Sequence, residues 1–153
     1  MANLLVSFLA IAVLAGSQAT AKPNFTGEWS MNAAKSDFGA LPPPTTLTRS
    51  IKHEEPSLLI DEHQIGALGE QSAIRKYVTD GTPTTFEMQG TTVPSSAKWV
   101  NNELLVVSTV EALGLSFNDR MTLSPDGKML TSVVRVSSPQ GDIEMTVVFD
   151  RAK

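Results

Sequence analysis

"DIEMTVVFDR", residues 142–151, sets Ile143, Met145, Val147 and Phe149 on one side and Glu144, Thr146 and Asp150 on the other. Successive side chains of a strand point to opposite faces, so this is a strand with one buried and one wet face. Working back from it, a period of two dominates as far as Phe25, and helical periodicity is almost absent. Strands are expected at 25–32, 46–53, 57–63, 71–79, 84–89, 92–100, 103–110, 115–124, 128–137 and 142–151. Between them stand "EEPS" (54–57), "TDGTP" (79–83), "QG" (89–90), "NNE" (101–103), "SPDGK" (124–128) and "SPQGD" (138–142). Pro presets φ, and Gly and Asn tolerate positive φ, which tight hairpins require. The expected class is therefore all-β, an antiparallel up-and-down meander of about ten strands. A sheet of that size with one apolar face needs a second layer, and the sequence offers no long amphipathic helix to supply one. Closing into a barrel solves this and removes the sheet edges. A β-sandwich of the same strands is the alternative, disfavoured because sandwiches usually need longer Greek-key crossovers.

The chain of 153 residues suffices for one domain with a real core. Charge is sparse, with 18% charged residues and a net −4, and the 12 Lys and Arg are scattered. No basic stripe offers itself to phosphates, so nucleic acid is not an expected partner. The absence of Cys excludes disulfides and lipid attachment through a thioether, leaving the core alone to hold the fold.

Residues 1–21 read as a signal peptide and 22–153 as a single barrel domain. The apolar run from Leu4 to Gly16 precedes Ala19-Thr20-Ala21, the small-x-small pattern of a signal-peptidase site, although the n-region carries no Lys or Arg. As a helix that run would extend about 20 Å, short of a ~30 Å hydrocarbon layer. Cleavage after Ala21 is expected, giving a secreted or periplasmic protein that spans no membrane.

"NFTGEWSMN" (24–32) opens the mature chain with Phe25, Gly27, Trp29 and Met31 at alternate positions. Glycine beside an indole in a strand permits close approach of a neighbour. Together with "KSDF" (35–38), this stretch resembles the opening of the calycins, the lipocalins and fatty-acid-binding proteins, and is nearest to the fatty-acid-binding branch. The chain also resembles a group of small exported bacterial proteins called lipocalin-like, which share the Gly-x-Trp opening, a Trp followed by "LxV" (Trp99 to Val106) and an Asp-Gly-Lys hairpin (Asp126 to Lys128). The resemblance implies a calycin-like barrel closed at one end by Phe25, Gly27 and Trp29, with Arg151 packed on the indole as a cation–π contact. It also implies a lumen for a small hydrophobic or amphipathic molecule. Two family features are missing: the helix-turn-helix lid, replaced by "AAKSDFGALPPPT" (33–45), and the carboxylate-holding Arg-x-Tyr near the C-terminus, since the only tyrosine is Tyr77. No lid helices are expected. Pro42, Pro43 and Pro44 keep the 33–45 segment extended, after one helical turn near 33–37 capped by Asn32. This segment is either a lid across the mouth or a plain connector.

Two charges fall on the apolar face: Arg49 between Leu47 and Ile51, and Asp119 between Phe117 and Met121. An isolated buried charge is costly, so each must be paired or hydrated, or must meet the polar head of a ligand. The expected ligand-binding residues of the lumen are Arg49, Ile51, Phe117, Asp119, Met121, Met145 and Val147. "HEEPSLLIDEH" (53–63) invites a metal reading, but the hairpin geometry separates His53 from His63 by roughly 13 Å. Neither a metal site nor a cofactor is expected, and both histidines are read as solvated groups at strand ends. No Gly-x-Ser-x-Gly elbow, metal-binding His pair or evident triad appears, so an enzyme is not expected. The expectation is an exported monomeric barrel that binds a small apolar or amphipathic molecule. The alternative is a ligand-free structural or protein-interaction module of the cell envelope.

Overall fold

A computed structural model describes residues 21–153; the expected signal sequence, apart from Ala21, lies outside the described residues. These form ten strands: β1 (Gly27–Met31), β2 (Thr46–Glu54), β3 (Ser57–Gly66), β4 (Gly69–Val78), β5 (Thr84–Met88), β6 (Thr91–Val100), β7 (Glu103–Val110), β8 (Leu115–Leu123), β9 (Met129–Ser138) and β10 (Gly141–Arg151). Helix is confined, among the described residues, to two short 3-10 turns at Ala33–Lys35 and Glu111–Leu113. The sheet runs β4-β3-β2-β1-β10-β9-β8-β7-β6-β5, every neighbouring pair antiparallel. All ten expected strands are present, and β1, paired with both β2 and β10, joins the two ends of the chain. The barrel is nearly closed. Among the described residues no ladder joins β4 to β5, and that seam is spanned by side chains, the Arg75 guanidinium lying 5.3 Å over the Phe86 ring.

Many strand ends shift by a residue from expectation, and the larger departures have physical reasons. The β3–β4 ladder runs on to Gly66 opposite Gly69, around a turn at Ala67-Leu68, because backbone pairing continues past the stretch where side chains alternate. At the other end of the barrel, β1 starts at Gly27, because the Phe25 N–H donates to His53 Nδ1 (3.2 Å) instead of to a neighbouring strand.

The half of the barrel nearest the 54–57, 100–103 and 123–129 connections is solid. Trp29 is 1% exposed, and its indole N–H donates to the Phe25 carbonyl at 2.9 Å. Ile51, Leu58, Leu104, Met121, Leu130 and Phe149 fill the space around it. Arg151 covers the indole at 4.2 Å and is pinned there by donating to the carbonyls of Gly127 (2.9 Å) and Thr26 (2.6 Å). Gly27 is needed beneath this clamp. A Cβ at that position would lie 2.2 Å from Arg151 Nη1, and its φ of +151° is one that other residues rarely adopt.

His53 corrects the expectation of a solvated strand-end residue. It is 2% exposed and stacks with Phe25 (5.6 Å between centroids) and Trp99 (6.1 Å). Its Nδ1 accepts from Phe25, so Nε2 carries the proton towards Glu55 Oε1 at 2.9 Å. Burial raises the Glu55 pKa, but hydrogen bonds from Thr79, Trp99 and His53 outweigh it and leave the carboxyl below its ordinary value. His63 is exposed, as expected.

Candidate functional site

The other half of the barrel is hollow. A cavity of about 620 Å³ opens between the 33–45 segment and the β3–β4 tip. The segment begins with the 3-10 turn at 33–35, capped by Asn32 Oδ1, which accepts from the Lys35 N–H at 3.1 Å. It then pairs Asp37 with Thr146 on β10 and brings Phe38, Leu41, Pro42 and Pro44 to the cavity mouth. Opposite them stands Leu68, 87% exposed at the hairpin tip. The upper wall is apolar, with Phe86, Met88, Val110, Phe117, Val134 and Met145.

The floor is charged. Arg49, on β2, is directly opposite Glu62 on β3, because the tight 54–57 hairpin pairs Glu54 with Ser57 and each step back advances the partner by one. Arg49 Nε donates to Glu62 Oε2 at 2.6 Å, and its Nη1 donates to Ser132 Oγ at 2.8 Å. Ser132 in turn donates to Asp119 Oδ2 at 3.1 Å, which also lies 3.8 Å from Arg49 Nη2. The Arg49 guanidinium rests 4.6 Å above the Phe149 ring. From β4, Arg75 Nη2 donates to the second Glu62 oxygen at 3.0 Å. Burial pushes the Glu62 carboxyl up, but the two guanidiniums prevail and hold its pKa at about 2. Asp119 goes the other way: burial raises its pKa, and the Arg49 charge and the Ser132 hydrogen bond do not bring it back. Burial likewise raises the Tyr77 phenol at the edge of the cluster.

Of the expected lumen residues, Arg49, Phe117, Asp119, Met145 and Val147 line this cavity. Ile51 and Met121 do not, and are corrected to the packed half, where they are 2% and 0% exposed. Each is on the correct face but one strand period too deep: β2 and β8 both run towards the solid end, so the residue two beyond Arg49 or Asp119 is already in the core. The closure residues Phe25, Gly27, Trp29 and Arg151 lie at the solid end, as described above. The sequence reading missed Glu62, Arg75 and Ser132. Glu62 follows Leu58 and Ile60 in the same alternation that exposes Arg49, so the signal was there.

The architecture is that of the calycin barrels. It is similar to solved structures of the zebrafish ileal bile acid-binding protein complexed with cholic acid (TM-score 0.60, 12% identity, 84% of this chain and 98% of that one). It is similar also to fatty-acid-binding protein 1 of Echinococcus granulosus (TM-score 0.59, 11% identity, 84% and 98%). A secretory abundant heat soluble protein of Ramazzottius varieornatus shares the fold as well (TM-score 0.66, 12% identity, 86% and 98%). At these identities the likeness is one of fold. No protein-family model matches the sequence, and no curated protein matches it.

Proposed function

We propose that the chain is exported and that its barrel carries one small amphipathic molecule in the lumen, as a monomer and without catalysing a reaction. The observation that carries this reading is the cavity: about 620 Å³, walled by apolar side chains, with a cluster of charged groups only at its floor. Binding sites for small molecules have this size and this distribution of polarity. Two of the fold's relatives are named for the bile acid or fatty acid they bind. Export rests on the apolar run from Leu4 to Gly16 and the Ala19-Thr20-Ala21 site.

Native mass spectrometry of residues 22–153 purified from the host's exported fraction tests the reading. A stoichiometric small molecule released on denaturation is the expected result. Protein that is consistently bare and takes up no apolar probe such as Nile red would favour the ligand-free interaction module instead.

A further inference from the structure

The upper wall of the cavity is polar at one place. Gln64 on β3 and Gln71 on β4 face each other across the ladder, two positions inside the Gly66–Gly69 rung at the hairpin tip. Gln64 lines the cavity, and Gln71 shares the inward face of β4 with Arg75, four residues on. Depth alone does not explain a polar pair there. Leu47, directly opposite Gln64 on β2, is buried, and Met88 and Val110 line the same end of the cavity with apolar groups. Gln64 Nε2 donates to Gln71 Oε1 at 2.8 Å. That bond leaves Gln64 Oε1 and the Gln71 amide N–H groups without a hydrogen-bond partner among the described residues. Turning both amides over exchanges these roles and leaves the same complement, a free carbonyl beside free N–H groups.

A second polar station lies deeper on the same two strands. Arg75 stands opposite Ile60, and its side chain, 21% exposed, makes a single hydrogen bond, through Nη2 to Glu62, among the described residues. A guanidinium has five N–H donors, so several remain for an occupant. Because the guanidinium leans towards Glu62, it lies two to four residues below the glutamines, roughly 7–13 Å at ~3.3 Å per residue. Across the barrel, β8, β9 and β10 present Phe117, Val134 and Met145 to the same space. A molecule with one head group satisfies one station and leaves the other to water. Resting on the lumen-binding reading, we propose that the occupant is a two-ended amphiphile, with a hydrocarbon middle and a hydroxyl or amide at each end. The inner end meets Arg75 and the outer end the Gln64–Gln71 pair. The paired amides offer a donor and an acceptor side by side, which a hydroxyl or an amide matches and a methyl end does not. Water competes at the outer station, so the glutamines select between molecules of similar apolar content more than they add affinity.

The test compares decane-1,2-diol with decane-1,10-diol on residues 22–153, and decan-1-ol reports on the lumen itself. The diols are neutral isomers that differ in where the second hydroxyl sits. A cavity with polar recognition at the floor alone favours the 1,2-isomer, which keeps its hydroxyls together and leaves the rest of the chain as hydrocarbon. Two stations reverse that order, and titration calorimetry should show the 1,10-isomer binding at least about fivefold more tightly. Gln64→Leu combined with Gln71→Leu should abolish the preference while decan-1-ol affinity stays within about twofold. Gln71→Thr, a milder change to a strand-forming residue, should weaken the preference and carries the comparison if the double variant also loses decan-1-ol. Equal or reversed affinities of the two diols in wild type would overturn the proposal whatever the variants do, as would a preference unchanged by the substitutions. If decan-1-ol binds and the diols are not distinguished, this proposal fails alone. If none of the three binds, the lumen-binding reading falls and this proposal falls with it.

Discussion

The two halves of this barrel use the same alternation for opposite ends. In the solid half, Trp29, Phe149, Ile51 and Met121 meet across the axis, and the polar groups there are tied to one another: Arg151 to two carbonyls, and His53 to Phe25 and Glu55. In the hollow half, the apolar side chains stop short of meeting, and Arg49, Glu62, Arg75 and Asp119 line the floor of the space they leave. The difference lies mainly in where the large side chains fall. Phe25, Trp29, Trp99 and Phe149 crowd one end, whereas Phe38, Phe86 and Phe117 are distributed around the walls of the other. The packed core and the cavity are thereby separated along one axis, so a change at the mouth need not threaten the fold.

Truncation on the two sides of that boundary should show the largest contrast. Trp29→Ala removes a fully buried indole and leaves a cavity in close-packed surroundings, at a cost of about 3–5 kcal/mol. Met145→Ala enlarges a void that already exists and should cost about 1 kcal/mol, because one side of the chain has few packing partners to lose. Urea unfolding of both variants measures this, and equal losses would mean that the lumen is as tightly filled as the closed end.

The charged floor marks the boundary itself, and its contribution depends on pH. Glu62 titrates at about 2 in the fold, against 4.5 for an ordinary glutamate. A depressed folded pKa gives stability that is fully present above the unfolded value and is lost as pH falls from 4.5 towards about 2. The shift corresponds to something on the order of 3 kcal/mol. Glu62→Gln leaves Arg49 and Arg75 without their shared counter-ion, so near pH 7 it should be less stable than wild type by a similar amount. That gap should narrow as pH drops below about 4, and unfolding curves of the two proteins at neutral and acid pH check it. A gap independent of pH would locate the loss in packing instead of charge.

How much of this was legible in the sequence depended on whether neighbouring residues disagreed in polarity. The strands and hairpins were readable because turn residues punctuate a period of two, and Arg49 and Asp119 were readable because each stands between two large apolar residues of its own face. Arg75 was not, because Ile74 beside it is apolar yet points outward, 58% exposed, while Ala73 is too small to declare a face. Only the pairing of Ile60 with Arg75 fixes that parity. Ser132 was hidden similarly, next to Thr131 in a locally polar stretch. Depth along the axis had no local signal, which is why Ile51 and Met121 were expected on the lumen wall. His53 shares the face of Arg49 and Ile51, but it is buried by Phe25 and Trp99, which are distant in the chain, so its acidic neighbours Glu54 and Glu55 misled.

The smallest of these effects probes the clamp at the solid end. Gly27→Ala would place a methyl on Arg151 Nη1, and an arginine tip can usually swing away at little cost. Here it is held by two carbonyls and the indole face, so moving it forfeits the Thr26 hydrogen bond and the cation–π contact together. The strained φ of +151° adds to this, for a total of about 1–3 kcal/mol. Arg151→Met removes the charge and its hydrogen bonds but keeps an apolar cover over Trp29 and relieves the clash, so the double variant should be no less stable than Arg151→Met by more than the backbone strain. A double-mutant cycle by urea unfolding, with near-UV circular dichroism following the Trp29 environment, measures that coupling. Strict additivity would show that glycine is required at position 27 for its backbone conformation alone, and that the guanidinium sits over the indole as a passenger.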